Sequence, residues 1–265
     1  MIDVFSQPGR QTLSEILRTG PLLAFDIDGT LAPIVPRPED ARVPHQVQES
    51  LALLAQRAPV AVITGRARAD GQRMLEFEPA YIVGNHGAEG VLDWEARTQD
   101  FAATVRDWHG VLAESSEIRR LGAWIEDKRY SLSVHYRAHP VDANVAAALA
   151  DVLHRLRPPP HLIGGKAVFN LLPPGAPRKG EALEALVRES GRTTAIYIGD
   201  DETDEDVFRL ARSELLTIRV EPSARSAARL FLPRQSEMPA LIDLIAREWE
   251  SENDPQPTAL RTRAG

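Results

Sequence analysis

Short unbroken apolar runs punctuate the chain. Leu22-Leu23-Ala24-Phe25 runs into Asp26-Ile27-Asp28-Gly29-Thr30, and Val60-Ala61-Val62-Ile63 into Thr64-Gly65-Arg66. Tyr81-Ile82-Val83 stops at Gly84-Asn85-His86-Gly87, and Thr194 to Ile198 delivers Gly199-Asp200-Asp201. Runs of this kind, without alternation, suit strands buried on both faces, as in a parallel sheet. Such strands have no interior use for carboxylates. Asp26, Asp28, Asp200 and Asp201 therefore fall at C-terminal strand ends, where open α/β sheets bind ligands. Leu215 to Val220 predicts a further strand.

Helical spacing fills the intervals. Gln11 to Arg18 predicts a short helix stopped by Gly20-Pro21. Pro44 opens another, whose Val47, Leu51 and Leu54 share one face until Pro59 breaks it. Glu181 to Glu189, Thr203 to Arg212 and Met238 to Trp249 read as helices too. A strand–helix–strand order implies right-handed crossovers between parallel strands. Residues 98–172 break this pattern with a helix (Phe101 to Ser115), a hairpin, a helix (Val141 to Arg157) and a second hairpin turning at Gly164-Gly165. That order predicts an antiparallel α+β domain, left through the stiff segment Pro173 to Pro177. The expected fold class is thus α/β: a Rossmann-like doubly wound parallel core (1–97 and 173–250) with an inserted α+β domain (98–172). The polar residues 251–265 read as a disordered tail.

With 265 residues the chain has room for such a core. The absence of cysteine excludes disulfides, thiolate metal sites and a Cys nucleophile. A formal charge of −7, with no basic run interleaved with aromatics, points away from nucleic acid. No apolar stretch approaches the roughly 20 residues that span a bilayer, and Met1 to Ser6 lacks the basic start and apolar core of a signal peptide. A cytoplasmic monomer with no membrane partner is expected. The seven histidines show no metal spacing, and the four tryptophans are scattered, so none is assigned a stacking role. His86, in a Gly-Asn-His-Gly turn, reads as structural.

Carboxylates crowded at one sheet edge repel one another unless something cancels their charge. Mg²⁺ does so, taking one or two carboxylates together with waters and substrate phosphate. Phosphoryl transfer needs an in-line nucleophile, a proton donor for the leaving oxygen and fixed positive charge on the phosphoryl oxygens. Asp26 can be the nucleophile and Asp28 the acid and then the base. The Thr64 hydroxyl can donate to a phosphoryl oxygen. Lys179, just ahead of a helix N-terminus, adds a positive charge where the helix dipole already favours anions.

Asp26-Ile27-Asp28-Gly29-Thr30, the strand-end Thr64, Lys179 and Gly199-Asp200-Asp201-Glu202-Thr203-Asp204 resemble the four signature motifs of the haloacid dehalogenase superfamily of phosphatases. With Leu31-Ala32-Pro33-Ile34, Ile63-Thr64-Gly65-Arg66 and Asn85-His86-Gly87, the chain is similar to the trehalose-6-phosphate phosphatases from Pro21 to about Ile245. The resemblance implies Mg²⁺ held by Asp26, the Asp28 backbone carbonyl and Asp200, with Asp201 and Asp204 in support. It also implies that the inserted domain is a mobile cap that closes over the substrate, and that Glu126 and Lys128, as a Glu-x-Lys pair, bind sugar hydroxyls.

Sugar recognition must come from the inserted domain, because the core reads only phosphate. After an Asp127-Lys128 turn, Leu132, Val134 and Tyr136 alternate with Ser131, Ser133, His135 and Arg137. The second set is either a solvated face or a sugar-binding one. Arg66, Ser131 and His135 join Glu126 and Lys128 as candidate substrate contacts. The second hairpin departs from the resemblance by offering Asn170 where the family has a Glu; Asn keeps a donor and an acceptor but not the charge. The function expected is Mg²⁺-dependent hydrolysis of trehalose 6-phosphate through an aspartyl-phosphate. The alternatives are a phosphatase of glucosylglycerol phosphate, mannosyl-3-phosphoglycerate or sucrose phosphate, and a non-catalytic sugar-phosphate sensor.

Overall fold

A computed structural model describes residues 1–91, 94–136, 143–165, 167–210 and 212–253. The chain opens with β1 (Ile2–Asp3) and α1 (Gln7–Leu17), whose first turn is capped by the Ser6 side chain. It continues through β2 (Leu22–Phe25), α2 (His45–Ala55), β3 (Val60–Ile63), α3 (Arg68–Arg73) and β4 (Tyr81–Val83). The middle third comprises α4 (Glu95–Glu114), α5 (Ser116–Arg120), β5 (Trp124–Asp127), β6 (Leu132–His135), α6 (Ala143–Leu153), β7 (His161–Gly165) and β8 (Val168–Leu172). The last third holds α7 (Lys179–Glu189), β9 (Ala195–Gly199), α8 (Glu205–Phe208), β10 (Leu215–Val220), β11 (Leu230–Leu232) and α9 (Met238–Asn253).

Among the described residues the strands form two sheets. One is parallel, in the order β1-β11-β10-β9-β2-β3-β4; the other is antiparallel, in the order β5-β6-β8-β7. Alternate residues of β2 serve opposite faces of the parallel sheet. Leu23 and Phe25 pack with Leu13, Leu51 and Ile245 of α1, α2 and α9, while Leu22 and Ala24 pack with Ala182, Leu186 and Phe208 of α7 and α8. This is a doubly wound α/β core. The antiparallel sheet has a core of its own, in which Trp108, Leu132, Val134, Leu149 and Leu153 are buried. Among the described residues no helix is long and apolar enough to cross a membrane.

Several expectations change. Gly164 and Gly165 lie inside β7, and Gly165 pairs with Val168, so the hairpin turns later, past Gly165. Ala167 takes the left-handed backbone there, at φ 59°. The helix expected over Thr203–Arg212 is a 3₁₀ turn (Glu202–Asp204) followed by the single turn α8. The Asp204 side chain is committed to the strand end, which sets where that helix can begin. The helix expected from Phe101 begins at Glu95, and the last helix continues to Asn253. Arg137, Lys166, the first residues of the helix expected from Val141, and the tail from residue 254 lie outside the described residues.

Candidate active site

The site forms where strand order reverses. β2 lies between β9 and β3, with β9, β10 and β11 running outward on one side, β1 beyond them, and β3 and β4 on the other. The crevice beyond β2 and β9 is therefore the topological switch point. The Asp26 N–H donates to the Ile198 carbonyl at 2.9 Å, which fixes the first aspartate against the end of β9. Asp200 follows that strand directly. Gly29 has a φ of 81°, and a Cβ there would collide with the Asp200 carboxylate. The motif needs glycine both for its turn and for this approach. Thr30 Oγ1 donates to Asp200 Oδ1 at 3.4 Å.

Lys179, at the start of α7, is fully buried between two carboxylates. Its Nζ lies 3.0 Å from Asp26 Oδ1 and 2.7 Å from Asp204 Oδ1. Asp204 is saturated: Oδ1 also accepts from the Tyr197 hydroxyl at 2.6 Å, and Oδ2 accepts the Asp200 and Asp201 N–H groups at 2.9 Å each. It orients the strand end rather than offering a free oxygen. Asp26 Oδ2 has no hydrogen-bond partner among the described residues.

Oxygens of Asp26, Asp200 and Asp204 lie within 4.8 Å of one another. Burial pushes the Asp26 carboxyl up to about 7; Lys179 opposes this, while Asp204 and Asp28 add to it. Asp200 is held well above the usual carboxylate range by burial and by the charges of Asp204 and Asp26. Asp201, raised by burial, caps the 3₁₀ turn by accepting the Glu202 N–H at 2.7 Å. Lys179 is raised because the two aspartates outweigh its burial. One lysine thus faces more carboxylate charge than it can neutralise. The free donors are hard oxygens, and this set fits a divalent cation of the Mg²⁺ or Ca²⁺ type.

Above this floor, Arg66 binds Asp28 with two hydrogen bonds, Nε to Oδ2 and Nη2 to Oδ1, both 2.6 Å; Nη2 also donates to the Pro38 carbonyl. Thr64 is buried, and its Oγ1 accepts the Arg66 N–H at 3.2 Å, which leaves the hydroxyl proton to donate elsewhere. A cleft of about 390 Å³ joins Asp26, Asp28, Lys179 and Asp200 to Glu126, Lys128, Ser133, His135 and Asn170 from the antiparallel sheet.

The polar face of β6 meets that cleft and the core, not solvent. Ser131, Ser133 and His135 are all buried. Ser131 Oγ donates to Asn85 Oδ1 and Ser133 Oγ to Asn170 Oδ1, each at 2.6 Å. Lys128 Nζ donates to the Gly65 carbonyl at 3.1 Å, tying the inserted unit to the core. Burial holds this ammonium below its usual range, against Glu126 and Asp28. Glu126 Oε2 lies 2.9 Å from His135 Nε2. Burial works against the Glu126 carboxylate, but the His135 hydrogen bond and the Lys128 charge outweigh it and hold the group below its usual range.

Three further residues bear on the site without having been candidate site residues in the sequence, although Asn85 and His86 stand in its strand-end motif. Tyr197 was hidden inside an apolar strand, although its position three residues before Asp200 puts its hydroxyl under Asp204. Asn85 pairs across to Ser131. His86, read as a turn residue, takes left-handed backbone (φ 57°), but its buried ring lines the cleft. Asn170 lies beside that ring without forming a hydrogen bond of good geometry to either nitrogen. Burial, then the charges of Lys128 and Lys179, hold the imidazole well below its usual range, so it is neutral.

A doubly wound core with aspartates at the β2 and β9 ends, a buried lysine and an inserted α+β unit over the cleft defines a phosphatase fold of the haloacid dehalogenase type. The chain belongs to the trehalose-phosphatase family, whose model matches residues 24–235. A Mycobacterium tuberculosis protein described as an uncharacterized glycosyl hydrolase is 36% identical over 228 residues, covering 80% of this chain and 16% of that protein. The trehalose-phosphate phosphatase of Mycobacterium avium is 35% identical over 208 residues, covering 72% of this chain and 51% of its own. This chain therefore spans only part of the length of these relatives. The solved Aspergillus fumigatus trehalose-6-phosphate phosphatase superposes with a TM-score of 0.61 at 25% identity, over 93% of this chain and 99% of that one.

Proposed function

We propose that this chain hydrolyses trehalose 6-phosphate to trehalose and phosphate with Mg²⁺ as cofactor. The observation that carries the reading is the meeting of Asp26 and Asp200 at the β2/β9 crevice with Lys179 Nζ 3.0 Å from Asp26. Asp26, the Asp28 carbonyl and Asp200 would hold the ion, with Asp201 and Asp204 supporting. When bound, Mg²⁺ supplies the positive charge that keeps the crowded carboxylates ionised and draws electron density from the phosphoryl oxygens.

The chain's own groups do the rest. Lys179 engages Asp26 Oδ1, so Oδ2 is the oxygen that attacks phosphorus. The bond from phosphorus to the sugar oxygen breaks, its electron pair stays on that oxygen, and Asp28 delivers the proton it needs. Water then attacks the aspartyl-phosphate, Asp28 takes the water's proton, and Asp26 leaves as a carboxylate. Thr64 and Lys179 donate to the phosphoryl oxygens as charge builds. The inserted unit acts as a cap, with Glu126, Lys128, Ser131 and His135 addressing the sugar. Arg66 reaches the substrate only through, or after releasing, Asp28.

Asn170 favours a second reading. Its Oδ1 is taken by Ser133, so its amide offers the cleft a donor where the family has a carboxylate acceptor. A related glycosyl phosphate would suit that donor. Phosphate release from a panel of sugar phosphates, with Mg²⁺ and with chelator, tests both readings. Trehalose 6-phosphate is expected to dominate, and chelation and Asp26→Asn should each abolish release. Chelator-resistant turnover, or full activity in Asp26→Asn, would overturn the chemistry.

A further inference from the structure

Beside the catalytic cleft lies a second, larger cavity of about 900 Å³, which shares Arg66, Asp70, Glu126 and His135 with it. Trp124, at the start of β5, lines this cavity and is 46% exposed. Trp108 and Trp249 are buried, at 1% and 5%, so exposure on this scale marks out Trp124. A large aromatic ring left open at the mouth of a polar cleft is an informative departure from burial. Its indole N–H has no hydrogen-bond partner among the described residues, whereas that of Trp108 donates to the Pro158 carbonyl.

The ring is also held rigid. Trp124 pairs directly across the hairpin with His135, and the two rings stack with centroids 4.8 Å apart and planes 12° from parallel. His135 is fixed in turn by Glu126 at 2.9 Å. Glu126 is two residues along β5 from Trp124 and shares its face of the strand. A ligand that reaches Glu126 from the catalytic side therefore comes next to the indole. The scattered tryptophans of the sequence conceal this, because the stack forms only once β5 pairs with β6.

The arginines around this cavity are already spoken for. Arg37 pairs with Asp40, Arg66 with Asp28 and Arg73 with Asp70, and Arg42 donates to the backbone carbonyls of Glu39 and Ala41. Among the described residues the Glu39 carboxylate and His135 Nδ1 also lack a partner there, and the indole is the exposed aromatic surface. It suits a ligand with a flat C–H face and polar edges rather than a second anion.

We propose that Trp124 is the stacking platform for a hexopyranose ring: the unphosphorylated ring of a disaccharide monophosphate whose phosphorylated end lies over Asp26. This rests on the disaccharide-phosphatase reading above and adds a specificity-determining residue to it. The preformed His135 stack leaves little ordering cost for the indole when the sugar binds. The platform selects two-ring substrates over single-ring ones, because a glucose 6-phosphate does not extend beyond the catalytic cleft.

The test compares wild type, Trp124→Ala and Trp124→Phe on trehalose 6-phosphate, glucose 6-phosphate and p-nitrophenyl phosphate, with Mg²⁺ present. Trp124→Ala should lower kcat/KM for the disaccharide phosphate by about 10-fold, mostly through KM, on the scale of a well-placed aromatic contact. The two smaller esters should stay within about 2-fold, and Trp124→Phe should recover most of the loss. Trehalose should change the tryptophan emission of wild type and not that of Trp124→Phe. An unchanged substrate ratio in Trp124→Ala, or equal losses on all three esters, would overturn the platform while leaving the phosphatase reading in place. A wild-type enzyme with no preference for the disaccharide over glucose 6-phosphate would overturn the substrate reading and the platform with it.

Discussion

Arg66 and Asp28 face each other in a fork, Nε to Oδ2 and Nη2 to Oδ1, with both distances 2.6 Å. Such bidentate pairs fix orientation as well as charge. The carboxylate assigned to proton transfer is thus held as an acceptor from outside the crevice. It must gain a proton or turn from Arg66 before it can serve a leaving oxygen.

Asp28→Asn should therefore cut kcat for a sugar phosphate by roughly 10²-fold or more, the usual scale of general acid catalysis. An aryl phosphate, whose leaving group needs no proton, should still give a burst of one equivalent before turnover stalls, because the same carboxylate activates the second-step water. Rapid-quench kinetics on both esters separates the two steps. Loss of the burst itself would argue against the acid role.

Removing Lys179 leaves Asp26 and Asp204 buried without their shared cation. Lys179→Ala should cost about 3–5 kcal/mol of stability, as breaking one side of a buried pair does. Urea unfolding with chelator present reads this directly. Activity should be lost as well, since the charge on the phosphoryl oxygens goes with it.

Lys128 bonds to the Gly65 carbonyl across the two units. Lys128→Ala should raise KM for the disaccharide phosphate about 10-fold, as loss of a charged hydrogen bond does, with kcat/KM for p-nitrophenyl phosphate little changed. Equal effects on both would place Lys128 in cap closure instead of sugar recognition.

His86 sets an acid limit. Its folded pKa is depressed by burial and by Lys128 and Lys179, so below about pH 6.5 the unfolded imidazole takes up a proton that the folded one refuses. Stability contributed by this group is present above that pH and is lost as pH falls, at up to about 1.4 kcal/mol per pH unit. Asn tolerates the left-handed backbone at this position. His86→Asn should therefore show a smaller drop in urea midpoint between pH 7.5 and 5.5 than wild type; an identical drop would sink this assignment.

Much of this layout was legible in the residues. The unbroken runs at Leu22–Phe25 and Ala195–Gly199 report burial on both faces, and the aspartates that end them fall at one edge as soon as the strands are parallel. β1 and β11 were not readable, because strands of two and three residues carry no period, and Ile2 finds its place only by pairing with Leu230. α3, with the sequence Arg68-Ala69-Asp70-Gly71-Gln72-Arg73, has no apolar face to announce it. The Tyr197–Asp204 and Trp124–His135 contacts depend on three-dimensional register, which no local pattern carries.

Gly29 shows what an omission can do in such a crevice. Since any side-chain carbon there would occupy the space of the Asp200 carboxylate, the gap between the two strand ends is set by a hydrogen atom. Adding one methyl would wedge the halves of the proposed ion site apart while every charged group remained in the chain. The lesion would look conservative on paper and yet leave the cation without a seat.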